Sequence, residues 1–386
     1  MSADAVPSPD GFWRSRRVLV TGHTGFKGPW LCQALVRRGA EVMGYSLPAP
    51  TDPSLFQLLD LADHVGQRGG DVRNLDELRR CVESFRPEIV FHLAAQSLVL
   101  ESYRDPVGTF STNVMGTVNL LETVRLSTDV LACIVVTSDK CYETDESGRP
   151  HREDDPMGGL DAYSASKGCA ELVTAAYRRS LLQGHQARVV SVRAGNVIGG
   201  GDWSVDRIVP DIVRALTTGS ELVLRQPDAV RPWQHVLEPL GGYIALAERI
   251  VGDGSLEGGW NFGPEPEDAW PVRRVVAEFA EIWGDEAAGD VRIVPSGFPE
   301  TGYLTVDSSK ARTKLGWRPR WGVREAIART VQWYHSFYRG GESATALVDA
   351  DLDAYGVTHL SGAKGAEQRS QPLREAPVDS RPGRGM

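Results

Sequence analysis

The 386-residue chain predicts an α/β fold: a Rossmann-type doubly wound parallel sheet with a smaller C-terminal α/β lobe. Three observations carry that expectation. Short apolar runs alternate with amphipathic stretches through the first half, the rhythm of strands and helices in a parallel sheet. A glycine-rich turn separates the first apolar run from the first amphipathic stretch, which is where doubly wound sheets bind dinucleotides. Past about Gly195 the alternation loosens into helical stretches joined by Gly/Pro-rich links, as expected of a second unit.

Residues 17–21 (Arg-Val-Leu-Val-Thr) read as a short buried strand, and 30–38 as the helix after the glycine turn. Further strands are expected at 41–46, 88–93, 132–137 and 188–193, with helices at 75–85, 113–126 and 164–182 between them. In the second half, 208–217, 237–251, 272–283 and 323–338 have helical periodicity. These elements divide the chain into a flexible N-terminal tail (1–14), a dinucleotide-binding domain (15–195) and a second lobe (196–339), some of whose segments return to the sheet. Residues 340–386 are rich in Gly, Ser, Ala, Arg, Glu and Pro and are expected to be a disordered tail.

Composition narrows the function classes. A net charge of −9 and a pI near 5.5 argue against general nucleic-acid binding, which needs a basic surface to displace counterions. The five cysteines form no CxxC pair, so neither a disulfide framework nor a metal site is indicated; reduced thiols in the cytoplasm are expected. The first residues have no apolar core for a signal peptide, and no apolar run reaches the ~20 residues that span a bilayer.

Gly22-His23-Thr24-Gly25-Phe26-Lys27-Gly28 supplies the spacing GxxGxxG at the strand-to-helix turn. Glycines let the backbone approach a pyrophosphate, and free N–H groups at the helix start donate to it, so Gly22, Gly25, Phe26 and Gly28 are candidate cofactor residues. The acidic residue that usually takes the adenosine ribose belongs about 20 residues on. Ser46 stands there, with no Arg to favour a 2′-phosphate, so NAD against NADP stays open locally. Asp71-Val72 either caps the following helix or contacts adenine. Ala94, Ala95 and Gln96 close a strand with small residues, which suits a passing cofactor and a tight packing corner equally.

Tyr163 and Lys167 stand four residues apart, so one helical turn brings phenol and ammonium to the same face. Tyrosine loses its proton near pH ~10, and a fixed cation nearby favours the phenolate, which makes this pair a candidate catalytic base. A lone YxxxK is weak evidence. In this chain it follows the glycine loop, Ala94-Ala95, Asn113 in Asn-Val-Met-Gly-Thr and Ser138 near a strand end.

In that order the motifs resemble the short-chain dehydrogenase/reductase superfamily, from about Arg17 to Tyr338, in its extended, nucleotide-sugar-modifying form. The blocks Thr137-Ser138-Asp139-Lys140-Cys141-Tyr142-Glu143, Ala194-Gly195-Asn196-Val197-Ile198-Gly199-Gly200-Gly201-Asp202-Trp203 and Arg231-Pro232-Trp233-Gln234-His235-Val236 are similar to the CDP-glucose 4,6-dehydratase family. The resemblance implies NAD as cofactor and a nucleotide-sugar substrate held mainly by the second lobe. Tyr163 would take the sugar O4 proton, with Lys167 lowering the phenol pKa and Ser138 supporting O4. Asp139 would protonate the departing C6 hydroxyl, which requires a carboxylic acid that keeps its proton. Related dTDP- and GDP-sugar dehydratases carry Glu where Lys140 stands; Lys140 would therefore be the C5 base after losing its charge, or an electrostatic stabiliser of the enolate. Asn196, Arg207, Arg231 and Tyr303 would hold nucleotide and diphosphate, whereas Trp233 and His235 read as packing residues. A homodimer through the helices near 113–126 and 164–182 is also implied. An epimerase, a dehydratase of another nucleotide sugar and a non-catalytic dinucleotide-binding protein are the alternatives. Asp139-Lys140 speaks against the epimerase, and an intact Tyr163/Lys167 pair against the binding protein.

Overall fold

The computed structural model describes residues 11–357 apart from 145–147, 285–290, 296 and 299–300. Its centre is a seven-stranded, wholly parallel sheet. Six strands come from the first half: β1 (Arg17–Thr21), β2 (Glu41–Ser46), β3 (Gly66–Gly69), β4 (Ile89–His92), β5 (Ala132–Val136) and β6 (Arg188–Ala194). The seventh, Gly258–Phe262, returns from the second half and pairs with β6 at the far edge. From that edge the order runs through β6, β5, β4, β1 and β2 to β3. The inner strands are apolar on both faces because helices cover both sides, as in β1, where Val18, Leu19 and Val20 are all buried. β1 pairs with β2 on one side (Val18 opposite Val42) and β4 on the other (Val18 opposite Ile89), so the strand order reverses at β1/β4. A crevice opens at such a switch point, beyond the carboxyl ends of the strands.

Helix Lys27–Arg37 follows the glycine turn and packs nearly all of its length into the core. Helix Leu75–Phe85 buries Leu78, Cys81 and Val82 and ends at Arg86 in the left-handed region (φ 56°). Its cap is Asn74, whose side chain accepts from Glu77 N at 3.2 Å; Asp71 lies too early to cap it and instead binds Arg73 N at 2.9 Å and the Arg73 guanidinium. The long helices expected over 113–126 and 164–182 are present as Gly116–Leu126 and Ala162–Ala176, each continued by one wider π turn, Ser111–Met115 and Tyr177–Leu181. In the second half, Ile208–Thr218, Leu237–Ile250, Val272–Trp283 and Val323–His335 are helical, with three two-stranded pairings beside them.

Both expected tails need correction. Trp13, assigned to a flexible segment, is buried in the main core; residues 1–10 lie outside the described residues. Residues Ala344–Ala354, assigned to a disordered tail, form a helix capped by Ser343 that buries Leu347, Val348 and Leu352. The polar composition misled because the acidic residues are paired: Asp349 accepts from the buried Arg37 at 3.0 Å and from Gln33 at 2.9 Å, and Asp351 from Arg329 at 3.1 Å. Residues 358–386 lie outside the described residues.

Candidate functional site

A cavity of about 590 Å³ occupies the switch-point crevice between the sheet and the second half of the chain. Gly22 leaves β1 with φ +73°, and a Cβ on it would meet Ala94 N at 2.6 Å. A Cβ on Gly28 would meet His23 at 2.5 Å, so both glycines are required by close approach. Gly22, Gly25, Phe26 and Gly28 line the cavity, as do Asp71, Val72, Ala94 and Ala95, which gives a backbone-walled cradle suited to a dinucleotide. Ser46 also lines it and shares a 2.6 Å hydroxyl contact with Thr24.

Gln96 and Asn113 are not on the cavity wall but build it. The Asn113 carboxamide accepts from Gln96 N at 2.9 Å and donates to Gln96 O at 2.9 Å and to Ser166 Oγ at 2.8 Å. This buried clamp ties the end of β4 to the helix that carries Tyr163 and Lys167.

Helix Ala162–Ala176, capped by Asp161 through Ser164 N at 2.9 Å, places Tyr163 and Lys167 one turn apart on the cavity wall. Lys167 Nζ donates to Val136 O at 3.3 Å, and burial pushes its pKa down to about 8, with Glu171 and Cys141 acting upward. The expected lowering of the Tyr163 phenol by Lys167 is not found: burial pushes that phenol up to about 12, and the groups that pull it down are Ser138, through a hydrogen bond, and the Arg207 charge. Ser138 does two jobs. Its hydroxyl accepts from Lys140 N at 3.2 Å, capping the short turn Asp139–Cys141, and donates to Asp139 Oδ1 at 3.1 Å.

Asp139 is deeply buried, and its Oδ2 has no partner among the described residues. Burial raises its pKa; Lys140, Ser138, Arg231 and Lys27 pull the other way without reversing the shift. That is the direction a carboxyl needs if it is to serve as an acid. Lys140 is only partly buried and lines both this cavity and a small adjoining one.

From the second half, Asn196, Arg207 and Arg231 reach the same wall. Arg207 donates to Asp202 Oδ2 at 3.0 Å and Ser97 Oγ at 2.7 Å; Arg231 is buried and donates to Val230 O at 2.9 Å. Tyr303 does not line the cavity. Its backbone bridges Val230 and its ring is 40% exposed. Trp233 is buried with its indole N–H on Trp270 O at 2.8 Å, and His235 is fully buried between Trp30 and Trp321, neutral because burial lowers its pKa to about 3.

Sequence reasoning passed over Lys27 and Arg225, both on the cavity wall. Lys27 occupies a wildcard position of the glycine motif, so its residue type was the sole available signal. Beneath the site lies an ion pair that local spacing did not reveal: Glu171 accepts from Arg193 at 2.9 and 2.8 Å, from Thr137 Oγ1 at 2.5 Å and from Ser191 Oγ at 2.6 Å.

The sequence profile of the GDP-mannose 4,6 dehydratase family matches residues 19–330. The chain belongs to this family. Within it, a CDP-glucose 4,6-dehydratase of Salmonella typhimurium is 50% identical over 337 residues, 85% of this chain and 93% of that protein. A dTDP-glucose 4,6-dehydratase of Streptomyces venezuelae, solved with NAD and TYD bound, superposes with a TM-score of 0.72 at 26% identity, covering 84% of this chain and 98% of its own. The UDP-glucose 4-epimerase of Thermus thermophilus in complex with NAD gives a TM-score of 0.72 at 27% identity, covering 83% and 99%. Family membership thus joins dehydratases and epimerases on one fold, and residues beyond the glycine cradle and the Tyr163/Lys167 pair must separate them.

Proposed function

We propose that this chain is an NAD-dependent CDP-glucose 4,6-dehydratase, converting CDP-glucose to CDP-4-keto-6-deoxyglucose. The observation that carries this reading is the pair Asp139-Lys140 beside Ser138, Tyr163 and Lys167 in one cavity, in a chain half identical to a CDP-glucose 4,6-dehydratase. A 4-epimerase needs hydride transfer at C4 alone and has no use for an acid and a base across C5 and C6.

Gly22, Gly25, Phe26, Gly28, Ala94 and Ala95 would hold NAD, which supplies the hydride acceptor at C4 and the donor at C6. The chain's own groups move the protons. Tyr163 accepts the O4 proton; the Ser138 hydroxyl, hydrogen-bonded to that phenol, steadies O4 and helps draw the raised phenol pKa back. Once C4 is a ketone, the C5 proton is acidic, and Lys140 takes it as the neutral amine; a Lys140 that stays charged would instead stabilise the enolate. Asp139, whose pKa is raised by burial, gives its proton to the leaving C6 hydroxyl. Water leaves across C5 and C6, and no net oxidation results. Asn196, Arg207 and Arg231 bind nucleotide and diphosphate, the Arg forks matching phosphate oxygens.

Two copies pair through the helices that carry the site. Val107, Phe110, Met115 and Leu126 on one stretch and Leu172 and Leu181 on the other are exposed apolar side chains, an arrangement that suits a helical dimer interface. Five cysteines without disulfides suit a reducing cytoplasm.

Incubation of the purified protein with CDP-, dTDP-, GDP- and UDP-glucose in the presence of NAD⁺ tests the reading. Loss of one water from CDP-glucose, seen by mass, is the expected result. Turnover of another nucleotide sugar with CDP-glucose inert would refute the base assignment, and epimerisation without water loss would refute the reaction.

A further inference from the structure

Lys27 belongs to the cofactor loop by sequence but lies on the wall of the shared cavity. Its charged neighbours are Arg207 and Lys167, which repel it, and Asp139, which attracts it. The other basic groups around the cavity each have a partner within the chain, which Arg207 and Arg231 keep beside the nucleotide and diphosphate role proposed above. Arg207 is paired with Asp202 at 3.0 Å, and Arg225 with Asp206 at 3.2 Å. Lys167 donates to Val136 O at 3.3 Å, Arg231 to Val230 O at 2.9 Å, and Lys140 is coupled to Asp139. Lys27, by contrast, makes no side-chain hydrogen bond or ion pair among the described residues, although burial pushes its pKa down to about 8. Lys27 is partly buried on the cavity wall, where its ammonium has no acceptor from the described residues and a ligand oxyanion can supply one.

Two anions meet in this cavity. The cofactor pyrophosphate is served by the backbone N–H groups at the start of helix Lys27–Arg37. The Lys27 ammonium stands instead among Asp139, Lys167 and Arg207, the acid, the sugar-oxidation pair and the diphosphate-side arginine. We propose that Lys27 is a further substrate-positioning residue that binds the sugar-linked phosphate of the nucleotide sugar and so couples the cofactor loop to the substrate. This rests on the nucleotide-sugar reading above. It also has a consequence for the acid. Lys27 lowers the Asp139 pKa in the free chain, and a phosphate on Lys27 offsets that pull, so the bound substrate favours the protonated Asp139 that the dehydration step needs.

The test compares full-length wild type with Lys27→Met and Lys27→Arg. Inhibition constants for CMP and CDP are measured with NAD⁺ present, together with NAD⁺ affinity from tryptophan fluorescence. One lost charge-assisted hydrogen bond predicts that Lys27→Met weakens CDP by about 10- to 100-fold while CMP changes by less than about threefold. Lys27→Arg, which keeps the charge, should recover most of the loss. An unchanged CDP-to-CMP ratio in Lys27→Met overturns the assignment, as does a loss confined to NAD⁺ affinity. If Lys27→Met does not fold, Lys27→Gln is read by the same ratio. Should wild type prefer another nucleotide, the mono- to diphosphate ratio is taken with that base; a wrong substrate assignment and a wrong role for Lys27 then give different results.

Discussion

The Glu171–Arg193 pair beneath the site offers the sharpest test of the structure. Both side chains are about 4% exposed, and Glu171 also receives hydrogen bonds from Thr137, just past the end of β5, and from Ser191 in the neighbouring β6. Burial opposes its ionisation, yet the Arg193 charge and these donors hold its pKa below the ordinary carboxylate value. Glu171→Gln leaves Arg193 buried with a Tyr142 hydroxyl and the Glu153 carbonyl but no counter-charge. Breaking one side of a buried pair costs about 3–5 kcal/mol. With an unfolding entropy of about 2.1 cal/mol/K per residue over roughly 340 ordered residues, or about 0.7 kcal/mol/K, the melting temperature should fall by about 4–7 °C. Glu171 also lies one turn beyond Lys167 and raises its pKa, so the variant's ammonium loses its proton at lower pH. The basic limb of the pH–rate profile should therefore move to lower pH. Scanning calorimetry and C4-oxidation rates across pH read the two effects. A drop below about 1 °C would show that the pair is not desolvated as the structure requires, and an unmoved basic limb would disconnect Glu171 from Lys167. The double variant Glu171→Leu/Arg193→Met should regain much of the stability, because no charge is left unpaired.

Lys140→Met should retain C4 oxidation but lose exchange of the C5 proton with solvent, followed by deuterium incorporation; normal exchange would exclude Lys140 as the C5 base. Asp139→Asn cannot donate a proton, so water loss should slow by about 10²- to 10⁴-fold with C4 oxidation kept. In wild type the acid form of Asp139 is required, and its pKa is raised, so water loss should fall as pH rises through that value, above the ordinary carboxylate range. An identical basic limb for water loss in Asp139→Asn would assign it to another group.

What the sequence reveals divides along a physical line. Strands β1, β4, β5 and β6 are legible because both faces are covered and apolar residues make up most of each strand. Strand β3 (Gly-Gln-Arg-Gly) sits at the sheet edge with little buried surface, so no apolar run marks it; the Gly258–Phe262 strand opens with two glycines and is found only through its pairing with β6. The helix Ala344–Ala354 is illegible for a related reason: its acidic residues are satisfied by Arg37 and Arg329, and Arg37 is 312 residues distant from Asp349. In the site, Tyr163 and Lys167 are legible because one helical turn is a local relation, and Gly22 because a positive φ at a strand end demands glycine. Charge states are not local. Whether Asp139 keeps its proton and how far the Tyr163 phenol rises depend on burial imposed by the whole cavity and on groups such as Arg207 and Arg231 brought in from the second half. A motif can therefore place an acid beside a base, but only the fold decides which of them carries the proton. That is why Asp139-Lys140, an unremarkable pair of charges by spacing alone, becomes chemically specific once Oδ2 is closed off from water and the Lys27 ammonium lies among its charged neighbours.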